Sequence, residues 1–231
     1  MPATLKDKER TRDLLTGLSS YKAFLAAFDK AIATTEEKNQ PLSLGLVDID
    51  FFKRINDEHG HLVGDAVLQA IAQHLARSIS DRGTVFRYGG EEFTVLFPNT
   101  EKEQAFLLLE NARSAFDQDH VIETDKGGIA LKPTFSAGLA SYPDDGTRAK
   151  DVLRKADGAL YRAKVSGRNR VCLSREDRMV TKTSHYTQEQ LERLGKLAKG
   201  EGVGEAVLLR EALDDLLKKY DDQQASYNSG G

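Results

Sequence analysis

The sequence predicts an α+β fold, a sheet flanked by helices with a small helical module appended at the C-terminus. Three observations carry this expectation. Strand-like apolar runs mix with stretches of helical period along the first 173 residues. Two of those runs, Thr84–Arg87 and Phe93–Phe97, flank a short glycine-bearing stretch, Tyr88–Glu92, which places a hairpin at the centre of the sheet. The composition then shifts after Leu173, where a charged linker, Ser174–Arg178, leads into two amphipathic helical patterns.

The elements follow in order. Residues 1–12 form a charged lead-in of helical character, and Asp13–Leu18 is a turn. Ser19 or Ser20 caps a helix that runs through Phe24, Leu25 and Phe28 to about Lys38 and is ended by Pro41. Leu42–Ile49 reads as a buried strand from its apolar character. Phe51–Glu58 is a short helix, Gly60 interrupts, and Leu62–Ile79 is helical through Val67, Leu68, Ile71 and Leu75. After the hairpin come a helix at Glu101–Asp117, strands at Val121–Glu123 and Ile129–Tyr142, a helix at Asp151–Val165 stopped by Gly167, and a strand at Arg170–Leu173. Beyond the linker, Thr187–Lys199 and Glu205–Tyr220 are helices around the glycine-rich turn Gly200–Gly204, and 221–231 is a polar, disordered tail.

Composition narrows the class. The 231 residues suffice for one medium domain and an appendage. A formal net charge of -3 gives no global sign of a nucleic-acid partner. Cys172 is the single cysteine, so no internal disulfide framework is possible and a reducing, cytoplasmic setting fits. Met1–Arg12 is charged and lacks an apolar core, and no run is long enough to span a bilayer, so neither a secretory signal nor a membrane partner is expected.

The chemistry concentrates in two acidic clusters. Asp48-Ile49-Asp50 closes the apolar run Leu44-Gly45-Leu46-Val47, and Glu91-Glu92 follows the Gly89-Gly90 pair. Two strands ending in carboxylates, with a glycine turn that lets a ligand approach the backbone, suit a divalent cation carrying a nucleoside triphosphate. Solvation at strand ends is the other reading of Asp48 and Glu91. Lys53 follows Phe51-Phe52 at a helix start, where backbone N–H groups hold phosphate oxygens and a lysine adds a point charge. Lys164 and Arg168, taken by themselves, read as a solvated basic helix end favoured by the macrodipole.

Taken in order, these segments resemble the GGDEF domain of the diguanylate cyclases, over residues 13–173. The resemblance rests on Gly89-Gly90-Glu91-Glu92-Phe93, on Asp48 through Asp57, on Gly60-His61 and Gly64-Asp65, on Asp13–Leu18, and on Ala156-Asp157, Leu160-Tyr161, Lys164 and Gly167-Arg168-Asn169. It implies a central, mainly antiparallel sheet of the nucleotidyl cyclase and polymerase-palm kind. It further implies Mg²⁺ or Mn²⁺ on Asp48, Glu91 and the Ile49 carbonyl, with Glu92 as candidate base and Lys53 as catalytic cation. Phe51, Phe52, Lys53, Gly89, Gly90, Lys164 and Arg168 would cradle the phosphates. Asn56 and Asp65 would read guanine, whose edge offers two adjacent N–H donors to one carboxylate, while adenine would set Asp65 against an acceptor. His61 either touches the ligand or caps the following helix, His59 is a surface residue, Arg87 either reaches a phosphate or a nearby carboxylate or has a structural role, the last being favoured, and Cys172 is a small core residue. The implied reaction converts two GTP into cyclic di-GMP and two pyrophosphates at a two-fold homodimer interface. A non-catalytic sensor of GTP or cyclic di-GMP is the alternative.

Two departures stand out. The family's product-inhibition motif, Arg-x-x-Asp, falls on Ser80-Asp81-Arg82-Gly83, which has neither residue in place, so weak or absent feedback is expected. Ser19-Ser20-Tyr21 replaces the usual Asn-Arg after the Leu-Thr-Gly-Leu turn. Residues 179–220 resemble a ribbon-helix-helix module, a dimeric fold whose paired strands read DNA. Its strand would be Val180–Tyr186, with Thr181, Thr183 and His185 outward, but Lys182 and Ser184 would then point inward where apolar residues belong. Residues 175–222 hold nine Lys and Arg against eleven Asp and Glu, which is not a basic footprint. Dimerisation is therefore the favoured role of this module, ahead of DNA binding by a regulator.

Overall fold

The computed structural model describes residues 11–124, 127–175 and 184–201 and, within 204–220, all but 207, 210, 211, 214 and 218. The chain divides into two compact units, Met1–Asp177 and Arg178–Gly231.

In the first unit the elements are α1 (Tyr21–Lys38), β1 (Leu42–Ile49), α2 (Phe52–His59), α3 (His61–Ile79), β2 (Thr84–Gly89), β3 (Glu92–Pro98), α4 (Lys102–Phe116), β4 (His120–Thr124), β5 (Gly127–Leu131), β6 (Phe135–Tyr142), α5 (Ala149–Val165) and β7 (Val171–Leu173). One sheet takes the order β2-β3-β1-β6-β7; only the β6–β7 pair is parallel. The expected α+β architecture with a mainly antiparallel sheet is therefore present, but the β2–β3 hairpin expected at its centre lies at one side, with β2 an edge strand and β1 in the middle.

The apolar run of β1 follows from its central place. Leu42, Leu44 and Leu46 face one core, with Phe24 and Phe28 of α1 and Val152, Ala156 and Leu160 of α5. Val47 and Ile49 face the other, with Val67, Ile71 and Leu75 of α3 and Leu109 and Phe116 of α4. Both faces of the strand are thus covered, so period-two alternation separates two apolar cores rather than core from solvent. Gly138 of β6 lets α5 approach closely: a Cβ there would overlap the Ala156 carbonyl and the Leu160 backbone nitrogen.

The strand expected at Ile129–Tyr142 is two strands. Gly127–Leu131 pairs with β4 in a separate two-stranded sheet, and Phe135–Tyr142 joins the main sheet beside β1. Pro133 explains the break, because it offers no N–H to a ladder. Cys172, expected in the core, is half-buried on β7. Most of the lead-in expected at 1–12 lies outside the described residues.

In the second unit α6 spans Gln188–Glu201. Its start is a capping box: the Gln190 N–H donates to Thr187 Oγ1 at 3.2 Å, and the Thr187 N–H donates back to Gln190 Oε1 at 2.9 Å. Helical residues recur between 205 and 220. Among the described residues no helix is long and apolar enough to cross a membrane.

Candidate active site

Antiparallel register brings the two acidic clusters to one end of the sheet. Asp48, near the end of β1, faces Glu92 on β3 and Ser136 on β6. The Ile49 N–H donates to the Glu91 carbonyl at 3.3 Å, which ties the end of β1 to the β2–β3 turn. That turn is Gly90-Glu91, with Gly90 in the left-handed region at φ 48°, where glycine carries no Cβ penalty.

The electrostatics of this end are unfavourable for bare carboxylates. Asp48 is only 5% exposed. Burial holds its pKa above the ordinary value, against the opposing pull of Lys164, whose Nζ lies 2.8 Å from Asp48 Oδ2. Glu91 is also raised, first by burial and then by the Asp48 charge. A divalent cation would relieve both effects at once. Among the described residues no three His, Cys, Asp or Glu side chains converge on a metal position. Two carboxylates and a main-chain carbonyl remain, a hard-oxygen set that fits Mg²⁺ or Mn²⁺, ions that keep waters and share phosphate oxygens. Asp48, Glu91 and Lys164 thus lie together, and Glu92 is half-buried beside them.

A second group surrounds the start of α2. Phe51 is in the left-handed region at φ 56° and 59% exposed, whereas Phe52 turns into the core. Lys53 is exposed on the first turn. From the other side the Arg168 guanidinium stacks on the Phe51 ring, 4.4 Å from its centroid. The Asn56 amide oxygen packs onto Gly64 so closely that a Cβ there would overlap it, so the glycine leaves the amide its room at the α2–α3 junction. Asp65 and His61 are exposed on the first turns of α3, and no side-chain hydrogen bond caps that helix, so the capping alternative for His61 has no bond behind it.

Arg87 lies between these groups. Its guanidinium sits over the Phe93 ring at 5.0 Å, Nη1 is buried without a hydrogen-bond partner, and burial lowers its pKa while the charges of Asp13, Asp65 and Glu91 oppose that shift. Sequence reasoning assigned no role to Asp50 or Arg113. Asp50 accepts hydrogen bonds from Thr134, Ser136 and Asn169, and Arg113 Nη1 donates to Asn169 Oδ1 at 2.7 Å. Asp50 ended an apolar strand beside a carboxylate already given a role, and no spacing rule joins it to residue 169. Of the three residues expected to read DNA, Thr181 and Thr183 lie outside the described residues, and His185 is exposed in a stretch without regular structure.

Fold and site together define a class: an α+β domain that gathers carboxylates and basic side chains at one end of the strands of a mainly antiparallel sheet. The chain belongs to the GGDEF, diguanylate cyclase family, whose model, "Diguanylate cyclase, GGDEF domain", matches residues 10–170. A ribbon-helix-helix domain model matches residues 180–221. Diguanylate cyclase A of Treponema denticola is 36% identical over 72% of this chain and 45% of its own length. Diguanylate cyclase DgcP of Pseudomonas aeruginosa is 40% identical over 69% of this chain and 23% of its own. The chain therefore spans less than half of these relatives. Among solved structures, the GGDEF domain of DgcB from Caulobacter crescentus in complex with c-di-GMP superposes with a TM-score of 0.66 at 32% identity, covering 75% of this chain and 98% of that one. The active GGEEF domain of a Vibrio cholerae diguanylate cyclase gives 0.60 at 39% identity, over 66% and 94%.

Proposed function

We propose that the 13–173 domain condenses two GTP into cyclic di-GMP and two pyrophosphates, in the cytoplasm, at a two-fold interface where each copy holds one GTP. The observation that carries this reading is the convergence of Asp48 and Glu91, whose carboxylates burial holds above their ordinary pKa and whose charge Lys164 only partly offsets. Asp48, Glu91 and the Ile49 carbonyl would hold Mg²⁺ or Mn²⁺, which supplies positive charge to the phosphates and makes the 3′-hydroxyl more acidic.

The remaining work falls to the chain itself. The α2 N-terminus offers N–H groups to phosphate oxygens, with exposed Phe51 shaping the approach, core-facing Phe52 contributing only its backbone, Lys53 adding charge, and Gly89 and Gly90 leaving the backbone open. Lys164 and Arg168 add charge from α5 and the turn that follows it. Asn56 and Asp65 take the guanine edge, and exposed His61 stands at the same end. The 3′-oxygen of one GTP bonds to the α-phosphorus of the other, the bond from that phosphorus to the bridging oxygen breaks, and pyrophosphate leaves. Glu92 accepts the 3′-hydroxyl proton. Positioning two nucleotides face to face supplies much of the rate.

Residues 180–221 would dimerise the cyclase. The ribbon-helix-helix match supports this, and so do exposed Leu191, Leu197, Leu213, Leu216 and Leu217. DNA reading through Thr181, Thr183 and His185 is a second reading that the same match favours and the acidic balance of the segment opposes. A gel shift that weakens steeply with salt would support it; no shift at low salt would remove it.

The test of the main reading is incubation with GTP and Mg²⁺ followed by chromatography. Cyclic di-GMP that disappears in Glu91→Ala supports it. GTP bound without turnover by the wild-type chain would replace the enzyme with a sensor.

A further inference from the structure

Asp50 is 4% exposed, and its carboxylate takes no part in the chemistry above. A buried carboxylate is costly unless donors surround it. Here three residues supply them. The Thr134 hydroxyl donates to Oδ2 at 2.8 Å, the Ser136 hydroxyl to Oδ1 at 2.7 Å, and the Asn169 backbone N–H to Oδ2 at 3.0 Å. The N–H of Asp50 itself donates to the Thr134 carbonyl at 2.9 Å.

The Asn169 contact matters because of the turn it holds. Gly167, Arg168 and Asn169 have φ of 112°, 60° and 45°, three successive residues at positive φ, two of them not glycine. Such a turn persists only when its surroundings fix it. Asp50 grips its backbone, and Arg113 and Asp117 grip the Asn169 amide, the latter accepting from Nδ2 at 2.9 Å. Its middle residue, Arg168, stacks on Phe51, which directly follows Asp50 and is itself left-handed.

Resting on the GTP reading above, we propose that Asp50 is a positioning residue: its carboxylate locks the Arg168 turn against the start of α2, so that the guanidinium and the α2 N–H groups meet the same triphosphate. The backbone of Asp50 sets the entry to α2, and its side chain sets the distance of the opposing cation. Asn at this position would keep much of the grip, since its Oδ1 can accept from the Asn169 N–H and its Nδ2 can donate to the Ser136 hydroxyl.

The test is calorimetric titration of the full chain with a non-hydrolysable GTP analogue and Mg²⁺, and separately with guanosine. Asp50→Ala should weaken analogue binding about tenfold, to the same degree as Arg168→Ala, and leave guanosine binding unchanged. The double variant should be no weaker than either single, and Asp50→Asn should recover most of the loss. Effects that multiply in the double variant, a parallel loss of guanosine binding, or wild-type affinity in Asp50→Ala would each overturn the proposal. If Asp50→Ala does not fold, Asp50→Asn crossed with Arg168→Ala serves the same cycle, and any loss from Asp50→Asn must vanish once Arg168 is absent. A wild-type chain that binds no analogue overturns the GTP reading and this proposal with it, whereas wild-type binding with multiplying variants overturns this proposal alone.

Discussion

Gly64→Ala separates recognition from stability at a single methyl group. In an ordinary helix the change stabilises by up to about 1 kcal/mol, because alanine loses less backbone entropy than glycine. At Gly64 the new Cβ would overlap the Asn56 amide oxygen and lie 3.3 Å from Cζ of the Phe52 ring. Overpacking of this kind costs about 1–3 kcal/mol, and the half-buried Asn56 side chain can lower that cost by swinging into solvent. Gain and cost then nearly cancel, and the melting temperature should move by only a few degrees, at about 4–8 °C per kcal/mol for a small domain and less for a larger one. Binding does not escape so lightly. An Asn56 displaced from the α2–α3 junction loses two hydrogen bonds to the base, worth about 1–3 kcal/mol together. That corresponds to roughly a 5- to 150-fold loss of GTP affinity. Thermal melts paired with calorimetry on a GTP analogue read both quantities. Wild-type affinity in Gly64→Ala would refute the reasoning, and so would a melting temperature that collapses together with binding.

Three further outcomes follow from the same geometry. Gly138→Ala should cost more than about 4 kcal/mol and leave little folded protein, because its Cβ meets the α5 backbone, while Gly45→Ala meets only Cδ1 of Leu109 at 2.7 Å and should cost about 1–3 kcal/mol in denaturant melts. Burial holds the Asp48 carboxyl above its ordinary pKa, so the fold binds its proton more tightly than the unfolded chain does; that contribution is complete below the ordinary carboxylate range, about pH 4, and is lost as pH rises through the raised value. Metal-free Asp48→Asn should therefore gain melting temperature over wild type as pH rises through that window, while Mg²⁺ affinity of the wild type should rise over the same range. Introducing Ser80→Arg with Gly83→Asp should cost about 1–3 kcal/mol, because a Cβ at Gly83 would lie 2.5 Å from the Leu96 carbonyl oxygen; a denaturant melt checks it.

The legible part of the fold was the part with local signals. Leu42–Ile49 stands out because a strand covered on both faces is mainly apolar, with only Ser43 and Asp48 polar, and Tyr88–Glu92 because a hairpin needs its glycine. The break at Lys132–Thr134 was missed: the apolar character resumes at Phe135, and only Pro133 marked the change of sheet. At the site, Asp48 and Glu91 were legible because their spacing matched a family order, and the sheet register supplies the physical reason they meet. Asp50 and Asn169 were not legible as a pair. They are 119 positions apart, and their contact uses a backbone N–H that is invisible to side-chain patterning. The positive φ of Phe51 and Arg168 was equally hidden, since neither residue type favours that region.

The central claim is that Asp48 and Glu91 hold a divalent cation together with GTP. Titration of Mn²⁺ into the protein with a non-hydrolysable GTP analogue, followed by electron paramagnetic resonance, tests it most directly. Saturable loss of the free Mn²⁺ signal that requires the nucleotide, and that Asp48→Asn and Glu91→Gln each abolish, is the expected result. Mn²⁺ binding that survives both substitutions, or free Mn²⁺ that never disappears in the wild type, would contradict it.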